Sequence, residues 1–180
     1  NINAATAATF ESLDGTAALS TVNIAGAGNV TISGAFDTDT TVVNGSTATG
    51  NITAIASTLV TATTTLGAGA DNYTTGGVLT TGSVAGGAGT DILAIGANVA
   101  HANTTALAAK YTGFEVLNTR GTFNAGLFTD LSGYQIAGAT NAITGMNAAA
   151  AANMTVLANA GATTIALATA TGTTDVVTVA

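Results

Sequence analysis

The 180-residue chain predicts an all-β fold, a parallel β-helix or β-roll solenoid with irregular turns and one or two short helices. Three observations lead there. Short runs rich in β-branched residues recur from end to end and close on glycine or asparagine, which tolerate turn geometry. Small templates return at a spacing of about twenty residues: Asn29-Val30-Thr31-Ile32 is echoed by Asn51-Ile52-Thr53, and a Gly-x-Gly-x-Asp unit ending at Asp71 is echoed by one ending at Asp91. Self-similarity of this length is the signature of a stacked array whose turns vary in size. Finally, alanine, threonine, glycine and asparagine dominate a chain that is 47% hydrophobic, 4% aromatic and 6% charged. Small side chains suit tight repetitive layers, and the composition is too apolar and too weakly charged for disorder.

In order along the chain, the strand candidates are LSTVNIAG (19–26), NVTISG (29–34), DTTVVNG (39–45), NITAIAS (51–57), TLVTATTT (58–65), DILAIG (91–96), FEVLNTRG (114–121), YQIAG (134–138), MTVLANAG (154–161), TTIALATATG (163–172) and DVVTVA (175–180). Strands about twenty residues apart should stack in parallel, with Tyr73, Ile92 or Leu93, and Val176 or Val177 contributing to the interior. At roughly 4.8 Å per coil, about nine coils of twenty residues would span ~43 Å. Two stretches break the pattern. Asn103 to Tyr111 starts with polar residues and places Leu107 and Tyr111 one helical turn apart, and MNAAAAANM has the propensity of alanine. No proline-rich or charged linker divides the chain, so residues 1–180 read as one continuous solenoid array, a segment of a larger secreted protein.

The charge balance narrows the partners. Nine acidic residues stand against two basic ones, Lys110 and Arg120, for a formal net charge of −7. Nucleic acid, whose phosphates require clustered lysine and arginine, is a poor partner, whereas cations complement the excess. The absence of cysteine rules out a disulfide framework and a thiolate metal site. No uninterrupted apolar run is long enough for a transmembrane segment, and the first residues lack the basic and apolar regions of a signal peptide.

The chemistry concentrates in glycine-aspartate turns. Calcium takes six to eight oxygen ligands, several of which backbone carbonyls can supply where the chain turns tightly. Glycine permits such turns and a following aspartate adds a charged ligand. Gly86-Gly87-Ala88-Gly89-Thr90-Asp91-Ile92-Leu93-Ala94 matches the calcium-binding nonapeptide G-G-x-G-x-D-x-U-x at every specified position. Gly67-Ala68-Gly69-Ala70-Asp71 matches it except for the first glycine, which is Leu66. Gly172-Thr173-Thr174-Asp175-Val176-Val177 is a degraded third copy. The candidate metal residues are therefore Gly67, Gly69, Asp71, Gly86, Gly87, Gly89, Asp91 and Asp175, and the candidate cofactor is Ca2+.

With GGAGTDILAIG, and with YTGFEVLNTRG from Tyr111 to Gly121, the sequence resembles the RTX-type bacterial surface-layer proteins, secreted calcium-dependent proteins that crystallise on the cell envelope. The low-charge, cysteine-free composition is similar along the whole chain. The resemblance implies a calcium-binding β-roll or β-helix, an extracellular cell-surface location and self-assembly into a homo-oligomeric lattice. The chain departs from the family in two respects: RTX repeats run in tandem every nine residues, whereas the two good copies here lie about two repeats apart, and the family's lipopolysaccharide-anchoring region and C-terminal secretion signal are not identified in it.

Other polar residues read more plainly. Asp37 and Asp39 would share one face of an extended strand, as a solvated edge or a second calcium site, Glu115 between Phe114 and Val116 would face outward, and His101 would be a surface residue. With no G-x-S-x-G elbow and no convergent Ser, His and Asp signal, no enzyme is expected. Six Asn-x-Ser/Thr triplets, at Asn29, Asn44, Asn51, Asn72, Asn103 and Asn153, follow from the abundance of threonine. The expected function is structural, as a component of a calcium-dependent extracellular surface layer. The alternative is an adhesin or binding module for glycan or ice on the same scaffold.

Overall fold

The computed structural model describes residues 1–13, 19–157 and 161–169. The chain winds as a parallel β-solenoid of about seven turns. The first coil carries β1 (Ile2–Asn3) and β2 (Ala8–Phe10), the second β3 (Thr21–Gly26) and β4 (Val30–Ala35), the third β5 (Val42–Ala48) and β6 (Ile52–Ile55). The fourth carries β7 (Thr63–Thr65) and β8 (Asn72–Thr74), the fifth β9 (Ser83–Ala85) and β10 (Ile92–Gly96), the sixth β11 (Tyr111–Thr112) and β12 (Val116–Asn124). β13 (Gly133–Met146) follows, and β14 (Met154–Val156) and β15 (Ala162–Leu167) both pair with it. One sheet runs β1-β3-β5-β7-β9-β11, the other β2-β4-β6-β8-β10-β12-β13-β14, and every pairing is parallel.

The core lies between the two sheets, because alternate residues of each strand point inward. In the first sheet Val22, Val43, Thr64, Val84 and Tyr111 form one buried column. In the second, Ala54, Tyr73, Leu93, Leu117, Tyr134 and Met154 form another. Thr64 Oγ1 and Tyr73 OH meet across the core at 3.3 Å, which gives the buried phenol its polar partner. Burial pushes the Tyr73 pKa up to about 12. Of the interior candidates, Tyr73 and Leu93 are buried and Ile92 lies on the outer side. Val176 and Val177 lie outside the described residues.

Coil length is uneven. Tyr73 pairs with Leu93 twenty residues on, but Leu117 meets Tyr134 after only seventeen and Val84 meets Tyr111 after twenty-seven. The longest coil accommodates a 3-10 turn at Val99–His101 and α1 (Thr105–Ala108). Both helices fall where the sequence places them. Thr104 caps α1 by accepting from Leu107 N–H, and Asn147 caps α2 (Ala148–Ala151) by accepting from Ala149 N–H. Asp37 and Asp39 correct an expectation: they sit in a tight turn, where Asp37 Oδ1 accepts from Asp39 N–H at 2.8 Å, not on an extended strand.

Candidate metal centre

The two sheets meet at a corner just before β4, β6, β8, β10 and β12, and glycines set how closely successive coils approach there. A side chain at Gly50, Gly69 or Gly89 would run into the backbone of Gly28, Gly50 or Gly69, one coil earlier in each case. The column of glycines at this corner is thus required by backbone-to-backbone contact. Gly87 and Gly89 add positive φ angles, +110° and +138°, that turn the chain into β10.

This corner brings Asp71 and Asp91 together and adds Glu115. The three carboxylates occupy consecutive coils, one step ahead of the paired residues Asn72, Ile92 and Val116. Each is tied to the backbone of the preceding coil. Asp71 Oδ1 accepts from Ile52 N–H at 2.6 Å, Asp91 Oδ1 from Asp71 N–H at 2.8 Å, and Glu115 Oε2 from Asp91 N–H at 2.9 Å. Glu115 therefore turns toward the ladder and away from the outward orientation read from its neighbours. On the earlier coils the same corner is polar but uncharged: Asn29 Oδ1 accepts from Asn51 N–H at 3.0 Å and Asn51 Oδ1 from Ala70 N–H at 2.9 Å.

The aspartates are buried, Asp71 1% and Asp91 0% exposed. The second oxygen of Asp71 accepts from Gly67 N–H at 3.0 Å. By contrast, Asp91 Oδ2 is buried without any hydrogen-bond partner, a costly state for a charged group. It faces a cradle at Gly86: a Cβ built there would lie 2.8 Å from Asp91 Oδ2 and would overlap the carbonyl oxygen of Gly113 from the next coil. A carboxylate oxygen and a backbone carbonyl oxygen thus both lie against Gly86, where any side chain would clash with them.

Electrostatics follow from this packing. Burial pushes the Asp91 carboxyl up to about 6, opposed by the hydrogen bond from Asp71 N–H and reinforced by the charges of Asp71 and Glu115. Burial also raises Asp71, although the N–H groups of Ile52 and Gly67 pull it back down. A divalent cation would relieve the same strain. The donors that meet at Gly86 are one carboxylate oxygen and one backbone carbonyl oxygen, both of which a cation could accept. They do not suit a cation held by a carboxylate cage, since among the described residues no three His, Cys, Asp or Glu side chains converge around a point.

The sequence-predicted residues therefore divide. Gly86 and Asp91 form the cradle, Asp71 is its neighbour in the ladder, and Gly67, Gly69, Gly87 and Gly89 shape the turns. Asp175 lies outside the described residues. Glu115, Gly113, Asn29 and Asn51 were missed as parts of this corner. A signal for the first two exists, because Gly113-Phe114-Glu115 repeats the Gly-x-acid spacing of Gly69-Ala70-Asp71 and Gly89-Thr90-Asp91.

His101 stands apart: its Nδ1 lies 2.8 Å from Thr75 Oγ1, and burial lowers its pKa. Among the described residues no helix is long and apolar enough to cross a membrane. No protein-family model, curated protein or solved structure matches this chain.

Proposed function

We propose that the chain is a calcium-stapled building element of an extracellular surface layer. The supporting observation is Asp91 Oδ2, which is buried and unpartnered and which shares the Gly86 cradle with the Gly113 carbonyl, in a ladder of three stacked carboxylates. Calcium accepts carboxylate and carbonyl oxygens alike in a flexible shell. Bound at the cradle, it would supply positive charge to Asp91 and its neighbours and join the fifth coil to the sixth through Gly113. Folding then depends on external calcium, as stabilisation grows with RT ln(1 + [L]/Kd).

The self-assembly part of the reading rests on the outer face of the first sheet. Thr21, Val42, Thr63 and Ser83 stack in one register column, and Asn23, Asn44 and Thr65 in the next, all uncharged. Neutral faces let copies approach once the acidic corner is neutralised. The binding-module alternative has its own support in a cavity of about 330 Å³ beside α1, lined by Phe114, Leu127 and Phe128 together with Thr105 and Asp130.

Sedimentation of the purified chain, with circular dichroism in parallel, tests the reading. Calcium should increase ordered β-structure and drive association that a chelator reverses, while magnesium, which prefers a smaller octahedral shell, substitutes poorly. A chain that stays monomeric at saturating calcium overturns the lattice reading in favour of the binding module. A chain whose spectrum and sedimentation are both indifferent to calcium overturns the metal reading as well.

A further inference from the structure

We propose that Asn44 is a self-modification site, at which the chain converts asparagine to aspartate and isoaspartate with water as the only co-reactant. Asn44-Gly45 is the sole asparagine followed by glycine in the sequence. In that arrangement the Gly45 backbone nitrogen can close a five-membered ring on Asn44 Cγ. The new bond is N–Cγ and the bond broken is Cγ–Nδ2. Ammonia leaves with the proton taken from Gly45 N–H. Water then opens the resulting succinimide at either carbonyl, giving aspartate or isoaspartate.

Three structural features favour this step. First, strand pairing lapses at the reacting bond. Register with β3 passes from Asn23↔Asn44 to Ala25↔Thr47, so Gly45 and Ser46 together oppose Ile24 in a β-bulge, and register with β7 ends at Asn44↔Thr65. Second, Asn44 is exposed, and its Oδ1 accepts from both Ser46 N–H at 3.2 Å and Ser46 Oγ at 2.8 Å. These two donors sit on the oxygen that gains negative charge as Gly45 N attacks Cγ, which is how an oxyanion site lowers a barrier. Third, Gly45 packs closely, since a Cβ there would lie 2.7 Å from Ile52 Cδ1 and 3.2 Å from the Thr65 carbonyl oxygen. Glycine carries no β-carbon to crowd the approach of its nitrogen to Asn44 Cγ, and the residue itself is buried.

The neighbouring coils provide comparators. Asn23, Asn29, Asn51 and Asn72 precede Ile24, Val30, Ile52 and Tyr73, whose side chains crowd the approach. Conversion at Asn44 places a carboxylate in the neutral Asn23–Asn44–Thr65 column. In the isoaspartyl form it also lengthens the backbone of a strand paired on both sides.

The test is long incubation of the intact chain at neutral pH, followed by peptide mapping that separates asparagine, aspartate and isoaspartate. Asn44 should convert on the order of tenfold faster than Asn23, Asn29, Asn51 or Asn72. Ser46→Ala, shown by circular dichroism to remain folded, should slow it several-fold by removing one of the two donors. Asn44→Gln, whose longer side chain cannot form the five-membered ring, should abolish it. An Asn44 that survives as long as the comparators overturns the site, and an unchanged rate in folded Ser46→Ala overturns the role given to Ser46.

Discussion

Replacing Asp91 separates the two tasks that its carboxylate performs. Oδ1 accepts the Asp71 N–H at 2.8 Å inside the corner, and Oδ2 stands unpartnered over Gly86. Asp91→Ala removes the acceptor and leaves a buried N–H without a partner. Loss of a hydrogen bond to a charged group and desolvation of the orphaned donor together amount to about 2–4 kcal/mol. Asp91→Asn keeps an oxygen on the Asp71 N–H and exchanges the strained Oδ2 for an amide that can donate to the Gly113 carbonyl. In a chelator at neutral pH, urea unfolding should therefore rank Asp91→Asn at least as stable as the wild type, and Asp91→Ala clearly below both. Calcium should then stabilise only the wild type. For a dissociation constant between about 10⁻⁴ and 10⁻³ M, millimolar calcium contributes roughly 0.4–1.4 kcal/mol per site. If Asp91→Asn gains as much from calcium as the wild type, Oδ2 is not a ligand. Should Asp91→Ala match the wild type in chelator, the hydrogen-bond ladder is not what holds the corner.

Two further outcomes follow from the same corner. The Asp91 carboxyl, at about 6 when folded against an ordinary value of 3.8, makes the folded chain bind more protons than the unfolded one between those values. The contribution is fully present below pH ~4 and is lost as pH rises through about 6, by an amount on the order of 3 kcal/mol. Urea titrations in chelator should thus show stability falling across this window in the wild type, with the dependence flattened in Asp91→Asn. Gly86→Ala would drive a methyl group into the Gly113 carbonyl and against Asp91 Oδ2, costing about 1–3 kcal/mol by overpacking. It should also blunt the calcium response, which thermal melts with and without calcium would measure.

Much of this architecture was legible in the sequence. Val22, Val43, Ile52 and Leu93 sit in β-branched or apolar runs that close on glycine or asparagine, so their strand state follows from local composition, whereas the choice of Val43 over Val42 and Leu93 over Ile92 for the interior came from the stack. The twenty-residue return of Gly-x-Gly-x-Asp announced that Asp71 and Asp91 would lie one above the other, and they do. The polar start of Asn103 to Tyr111 and the alanine run within Met146 to Met154 likewise marked the places of α1 and α2, while the caps Thr104 and Asn147 came from the structure.

Tertiary structure decided the rest, because stacking depends on how many residues each coil spends before returning. The inserted turn and helix between β10 and β11 stretch that coil to twenty-seven residues on one sheet and twenty-four on the other, so no fixed period could align Glu115 with Asp91. Likewise, no local pattern revealed that the Asp91 carboxylate would be buried with one oxygen satisfied and the other not. That state comes from the Asp71 amide, one coil earlier, and from the Gly113 carbonyl, one coil later. The types of side chain at the corner belong to the sequence. Their charge state arises only where three separate coils press their backbones together, since burial and like-charge proximity are properties of the stack and not of any one segment.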